Sequence, residues 1–203
     1  LADGAWSLPT AALGDSQGLL GWFMVKSGLV DRPSVSHFRL AAHLCLALFI
    51  LAYVFDLVLS MTARPTDAVP NGLRRLVQVF TLLLVAQLIY GGFTAGLKAG
   101  LGFNTYPKMG EAWIAEAALT LTPFWLNWFE NGAMIQFIHR WLGLAVLVAA
   151  AVTLGAVLSQ ATSARLRRAA AWCVALVFIQ FLLGITTLIT VVPLSWALTH
   201  QVF

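Results

Sequence analysis

The chain has 203 residues, of which 60% are hydrophobic and only 10% are charged. A water-soluble domain of this length needs a larger charged surface, so the composition excludes an ordinary soluble enzyme and indicates a protein embedded in lipid. The formal net charge of +4 does not indicate nucleic-acid binding, because the basic residues are scattered through short loops.

Apolar runs between charged or Pro/Gly-rich breaks predict five membrane-spanning helices and the start of a sixth near Pro193. The five runs cover residues 10–29, 40–61, 76–97, 133–158 and 169–190. The expected fold class is therefore all-α, a polytopic bundle of transmembrane helices. Because the chain opens on Leu1 and stops soon after the sixth helix begins, we expect it to be a fragment.

Loop charges predict an orientation in the membrane. The loops after the second and fourth runs contain six arginines and a single acid, Asp67, and should therefore face the cytoplasm or matrix. The arginines are Arg64, Arg74, Arg75, Arg165, Arg167 and Arg168.

Residues 111–131, in the long connection before the fourth run, are rich in aromatic residues but too short to cross twice. We expect this segment to lie along the outer membrane surface, with Trp113, Trp125, Trp128 and Phe129 forming an aromatic belt.

A short motif, Q-x-x-x-G, occurs in three of the runs, and each such run precedes one that contains a histidine. Its copies are Gln17–Gly21, Gln87–Gly91 and Gln180–Gly184. At this spacing the amide and the glycine share a helix face. The motif predicts close helix packing, in which a neighbouring backbone approaches the glycine and the glutamine hydrogen-bonds across the contact.

Three histidines, His43, His139 and His200, lie one or two turns inside helices that all enter from the same side. A single intramembrane histidine is more often a packing or proton-relay residue than a metal ligand. Three at matched depth favour heme ligation, because two imidazoles that bind one iron must face each other at equal height. His37 precedes its apolar run and is expected in a loop.

Residues near the three histidines suit a heme but allow a simpler interpretation. Small residues flank the rings, and Arg39 and Arg140 lie close to the membrane surface, where heme propionates need positive partners. Arginines that merely anchor helix ends explain the same pattern. The small residues are Ala47, Gly143 and Ala197.

Other polar groups in the apolar runs are Asp15, Asp56, Cys45 and Cys173. The cysteines show no paired spacing, so neither a disulfide nor a zinc site is expected. The acids, with Gln17 and the histidines, leave open a transporter with a polar pathway.

Four long segments resemble the heme A synthase family of proteobacterial and mitochondrial type. They are LLGWFMVKSGLVDRPSVSHFRLAAHL, AGLKAGLGFNTYPKMG, QFIHRWLG and QFLLGITTLITVVPLSWALTHQ. The resemblance implies eight transmembrane helices in two pseudo-symmetric four-helix halves, the first truncated here. Residues 1–63 would then be the rest of the substrate-heme half, residues 64–75 a linker, and residues 76–203 the heme b half.

The same resemblance implies the activity and the site. Family members oxidise a ring methyl of heme O to a formyl group, which yields heme A for terminal oxidases. By correspondence of motifs, His139 and His200 ligate a heme b iron with Arg140 beside it, while His43 and Arg39 face the substrate heme. The family's catalytic glutamate is expected in the missing N-terminal part, and at the equivalent offset from His139 this chain has Gln136, which is neither acid nor base.

The resemblance also implies a substrate, partners and a location for the protein. Heme O is the substrate, heme O synthase and an electron donor are possible partners, and a homo-oligomer is compatible. The expected location is a bacterial inner membrane or the mitochondrial inner membrane. The main rival is a bis-histidine membrane cytochrome b that only carries electrons, since its heme ligation has the same sequence pattern.

Overall fold

The computed structural model describes residues 3–28, 35–61, 69–160 and 163–202. The chain divides into two compact units, Leu1–Thr66 and Asp67–Phe203. The regular secondary structure of the described residues is helical, apart from an isolated bridge between Met109 and Ala112. The all-α prediction is confirmed.

The first unit consists of α1 (Asp3–Gly28) packed against α2 (His37–Met61). The expectation that His37 lies in a loop is wrong, because α2 begins at His37 and its side chain is buried. The first turn of a helix tolerates polar residues, since its N–H groups have no intrahelical partner. The helix therefore begins before its apolar run.

The second unit is built on α3 (Asn71–Gly96), α5 (Gly132–Ser159) and α6 (Ala164–Ile189), with α5 packed between the other two. The short α4 (Asn127–Glu130) precedes α5, and α7 (Leu194–Val202) packs on α6.

Side chains cap the starts of α5 and α6. The Asn131 side chain accepts hydrogen bonds from the backbone nitrogens of Ala133 and Met134, at 3.0 and 3.4 Å. Ser163 accepts one from Leu166 at 3.2 Å. Each cap satisfies N–H groups that the helix leaves unpaired.

Four helices of the described chain, α2, α3, α5 and α6, are long and apolar enough to cross a membrane. They confirm four of the five predicted spans, and the chain is an integral membrane protein. The fifth, α1, forms a helix but is not among them, because Asp15, Gln17 and Lys26 lower its mean hydropathy.

The connection between α3 and α5 contains only short helical turns. Two 3-10 turns, Glu116–Leu119 and Phe124–Leu126, fold around Asn127, which is fully buried. The Asn127 amide bonds both backbone groups of Leu121, at 3.0 and 3.1 Å. The tryptophans expected to form a belt, Trp113, Trp125 and Trp128, are exposed, and their position at the membrane surface stays a prediction.

Candidate functional site

Each Q-x-x-x-G motif places its glycine against the imidazole of the next histidine. A Cβ atom added to Gly21 would lie 3.2 Å from Cε1 of His43, and one added to Gly91 would lie 3.2 Å from Cε1 of His139. For Gly184 and His200 the distance is 3.0 Å. The glycine therefore makes room for an imidazole ring, whereas the sequence predicted that it would make room for a helix backbone.

The glutamines of these motifs reach across the same helix contacts. The Gln17 amide nitrogen donates to the backbone carbonyl of His43 at 3.2 Å and lies 3.2 Å from its ring Nε2. The Gln180 amide donates to the carbonyl of His200 at 2.6 Å. These two bonds confirm the predicted cross-helix bonding.

The third glutamine reaches a different part of the facing helix. The Gln87 amide nitrogen lies 3.2 Å from the Cβ position of Gly143, one turn beyond His139. The sequence predicted that Gly143 leaves space beside His139. In the structure, the Gln87 amide packs against Gly143. Phe181 of α6 also contacts that position, at 3.6 Å.

All three motifs leave the same atoms unpaired. Nδ1 of His43, His139 and His200 is buried without a hydrogen-bond partner in the protein, and so is Oε1 of each glutamine. A buried polar atom without a partner costs on the order of 1–3 kcal/mol. Three repetitions of that cost indicate a site prepared for a further group, because simple packing would pair these atoms.

A heme fits this donor set. Porphyrin supplies four ligands to its iron, so the protein contributes only axial imidazoles. Each motif also supplies an imidazole nitrogen that has no partner in the protein, and imidazole nitrogen is a ligand that heme iron takes from proteins.

His139 and His200 belong to one unit and lie close enough to interact electrostatically. A tight reversal between α6 and α7 brings His200 back beside Gln180. In this reversal Val191 and Val192 have φ angles of 64° and 55°, which are unusual for β-branched residues. Val192 donates to the Thr187 carbonyl at 2.8 Å and thereby holds the reversal closed. His43 lies in the other unit.

Arg140 is buried, and its guanidinium binds the loop between α3 and α5 of its own unit. Its guanidinium donates to the carbonyls of Thr105 at 2.6 Å and Lys108 at 3.0 Å, and to the carbonyl of Phe103. It also donates to Oε1 of Gln136 at 3.1 Å. Only its Nε–H, buried without a partner, is left for another acceptor, and pairing with a heme propionate stays a prediction.

Gln136 binds the same loop as Arg140, and we call these two side chains the clamp. Its amide nitrogen donates to the carbonyls of Ala99 at 3.0 Å and Gly102 at 2.6 Å, while its oxygen accepts from Arg140. Sequence reasoning identified Gln136 only as a residue that is neither acid nor base. Its structural role was missed, because the carbonyls that it binds are more than thirty residues away in the chain.

We expect Gln136→Glu to loosen this loop. A carboxylate cannot donate to the two carbonyls, so the variant should be less stable by about 2 kcal/mol. Thermal unfolding of the detergent-solubilised protein and trypsin cleavage at Lys98 and Lys108 measure the effect. Asn71→Asp, also a change of amide to carboxylate but at an exposed position at the start of α3, is the control. Unchanged melting and cleavage in Gln136→Glu would show that the clamp does not hold the loop.

The remaining predicted site residue, Arg39, lies within the first unit with His43. Its guanidinium carbon is 4.7 Å from the centre of the Phe23 ring, a cation–π contact between α2 and α1. Its role toward a substrate heme stays a prediction. Asp15 and Asp56 are exposed, and both cysteines are free and half-buried.

Comparison with known proteins agrees with the resemblance seen in the sequence. The profile of the family described as cytochrome oxidase assembly protein matches residues 3–203. A heme A synthase of Wolbachia pipientis wMel is 40% identical over 193 residues, which are 94% of this chain and 53% of that protein. A heme A synthase of Brucella ovis is 38% identical over 192 residues, which are 95% of this chain and 54% of that protein.

The chain spans about half the length of the curated relatives it matches. No solved structure matches it.

Proposed function

Because this chain belongs to the cytochrome oxidase assembly protein family, we propose that the whole protein is a heme A synthase. It is an oxidoreductase that converts a ring methyl of heme O to a formyl group by successive hydroxylation. The observation that carries this proposal is the threefold contact of glycine with histidine, in which each imidazole leaves Nδ1 buried and unpaired. The 38–40% identity to heme A synthases supports the same function.

In the second unit, His139 and His200 would hold a heme b through their imidazole nitrogens. A bis-imidazole heme supplies one-electron transfer. The chain itself positions the two rings, His139 against Gly91 and His200 against Gly184. Gln136 and Arg140, which lie beside His139 in the sequence, hold the loop against that end of α5.

In the first unit, His43 and Arg39 would face the substrate heme O. The Gln17 amide holds the His43 backbone, so the ring is positioned from α1 in the way that His200 is positioned from α6. Gln136, beside His139, cannot move a proton. We therefore assign the chemical step to the substrate half, where the resemblance places the catalytic glutamate of the family.

The product of the full-length protein tests the function. Purified protein supplied with heme O, oxygen and a reductant should yield a heme with one oxygen more and two hydrogens fewer, measured by mass spectrometry of the extracted heme. A protein that binds heme, changes its redox state and returns heme O unaltered is instead the bis-histidine electron carrier. Absence of any heme after purification with added heme O would contradict both functions.

The partners follow from the activity. The protein would receive heme O from a heme O synthase and take electrons from a separate donor in a bacterial or mitochondrial inner membrane.

A further inference from the structure

A second feature of the unit Asp67–Phe203 lies far from the histidines. A cavity of about 450 Å³ opens between the first turns of α3, the end of α5 and the start of α6. Leu73 and Val157, which line it, are only 1% and 2% exposed, so it reaches into the packed part of the bundle. Most of its other lining residues are apolar, among them Val77, Phe80 and Leu166.

The cavity is separate from the heme site. Val157 lies 18 residues beyond His139 on α5, which is roughly 27 Å along the helix at 1.5 Å per residue. Thr153, another lining residue on α5, lies 14 residues beyond His139, roughly 21 Å along the helix. The cavity and His139 therefore lie toward opposite ends of α5.

The charged side chain in the lining of the cavity is Arg74. The first turns of α3 and α6, which contribute to the same lining, contain no acidic residue. Arginines near these two helix starts are Arg74, Arg75, Arg165, Arg167 and Arg168. A helix N-terminus carries a partial positive charge and is stabilised by anions, so arginines at two such ends repel the helix dipoles. An anion at the mouth would relieve that repulsion.

We propose that this cavity binds an anionic phospholipid, with one acyl chain between α3, α5 and α6 and the phosphate against Arg74. An apolar volume lined by Arg74, with further arginines at the same two helix starts, matches the chemistry of such a lipid at both ends. A basic pocket between transmembrane helices is the environment in which phospholipids with two phosphates bind strongly. The site stabilises the cytoplasmic or matrix end of the bundle.

The test uses delipidated full-length protein in detergent and counts bound lipid by native mass spectrometry. The probes are tetraoleoyl diphosphatidylglycerol and, for comparison, dioleoyl phosphatidylcholine. The first should bind more tightly. Arg74→Gln should weaken its binding about fivefold, as expected for one basic residue at a membrane surface, and Arg74→Lys should restore part of that loss. Lys108→Gln, a matched loss of charge in the loop before α5, should not change binding.

A second variant tests the acyl chain. Ala170→Leu adds bulk to the lining of the cavity and keeps every arginine, so it should weaken binding of the diphosphatidylglycerol while thermal unfolding shows that the protein stays folded. Full binding to Ala170→Leu would mean that only the headgroup is held, and it would overturn the proposal. Equal affinity for phosphatidylcholine, or displacement of the lipid by inorganic phosphate, would overturn it as well.

The lipid-binding measurement does not depend on heme chemistry. Loss of heme A synthesis with intact lipid binding contradicts only the proposed function, and the reverse result contradicts only the lipid site.

Discussion

Replacing His139 or His200 with alanine is expected to abolish binding of heme b by the full-length protein. Each imidazole is the only axial ligand that its helix is proposed to offer, and iron that loses one of them loses its low-spin state. The low-spin absorption spectrum should therefore disappear, and the heme extracted per protein should fall at least tenfold. Visible spectroscopy of the purified variants and a pyridine hemochrome assay measure both effects.

Two controls accompany this prediction. Thr199→Ala, next to His200, removes a hydroxyl that donates to the Ser195 carbonyl of its own helix at 2.8 Å, and should retain heme b. His43→Ala should also retain heme b but lose conversion of heme O, because His43 lies in the other unit. Normal heme b content in both His139→Ala and His200→Ala would refute the ligand assignment.

Gly184→Leu is expected to remove heme b almost as completely as loss of His200 itself. A Cβ at position 184 would lie 3.0 Å from Cε1 of His200 and 3.4 Å from its Nε2, so a leucine side chain must displace the ring. The glutamine that holds the His200 backbone, Gln180, would remain in place. We expect at least a fivefold loss of heme, with the helices still formed by circular dichroism.

The matched control is Gly155→Leu. Position 155 also lies within a membrane-spanning helix, but a Cβ added there meets no atom within 4 Å. This variant should keep its heme and melt at nearly the same temperature. If Gly184→Leu keeps its heme as well, the contact between glycine and imidazole is incidental packing.

Local features of the sequence predicted the spans formed by α2, α3, α5 and α6. Mean hydropathy and length decide whether a segment crosses lipid, and both belong to contiguous residues. The common direction of entry of His43, His139 and His200 was inferred by counting spans and stays a prediction. The start of α2 at His37 was not predicted, because a helix can begin in polar residues outside the apolar run.

Contacts between distant residues were decided only by the tertiary structure. The repeat of glutamine and glycine was visible in the sequence. The contact of each glycine with an imidazole was not, because it depends on where the next helix packs. Arg140 looked like a partner for propionates, yet its four bonded N–H donors are used by a loop and by Gln136. The sequence by itself therefore determined the membrane helices, the family and the candidate ligands, because those depend on residue type and local order. The partners of each buried polar group depended on the packing of helices far apart in the chain, and only the three-dimensional arrangement determined them.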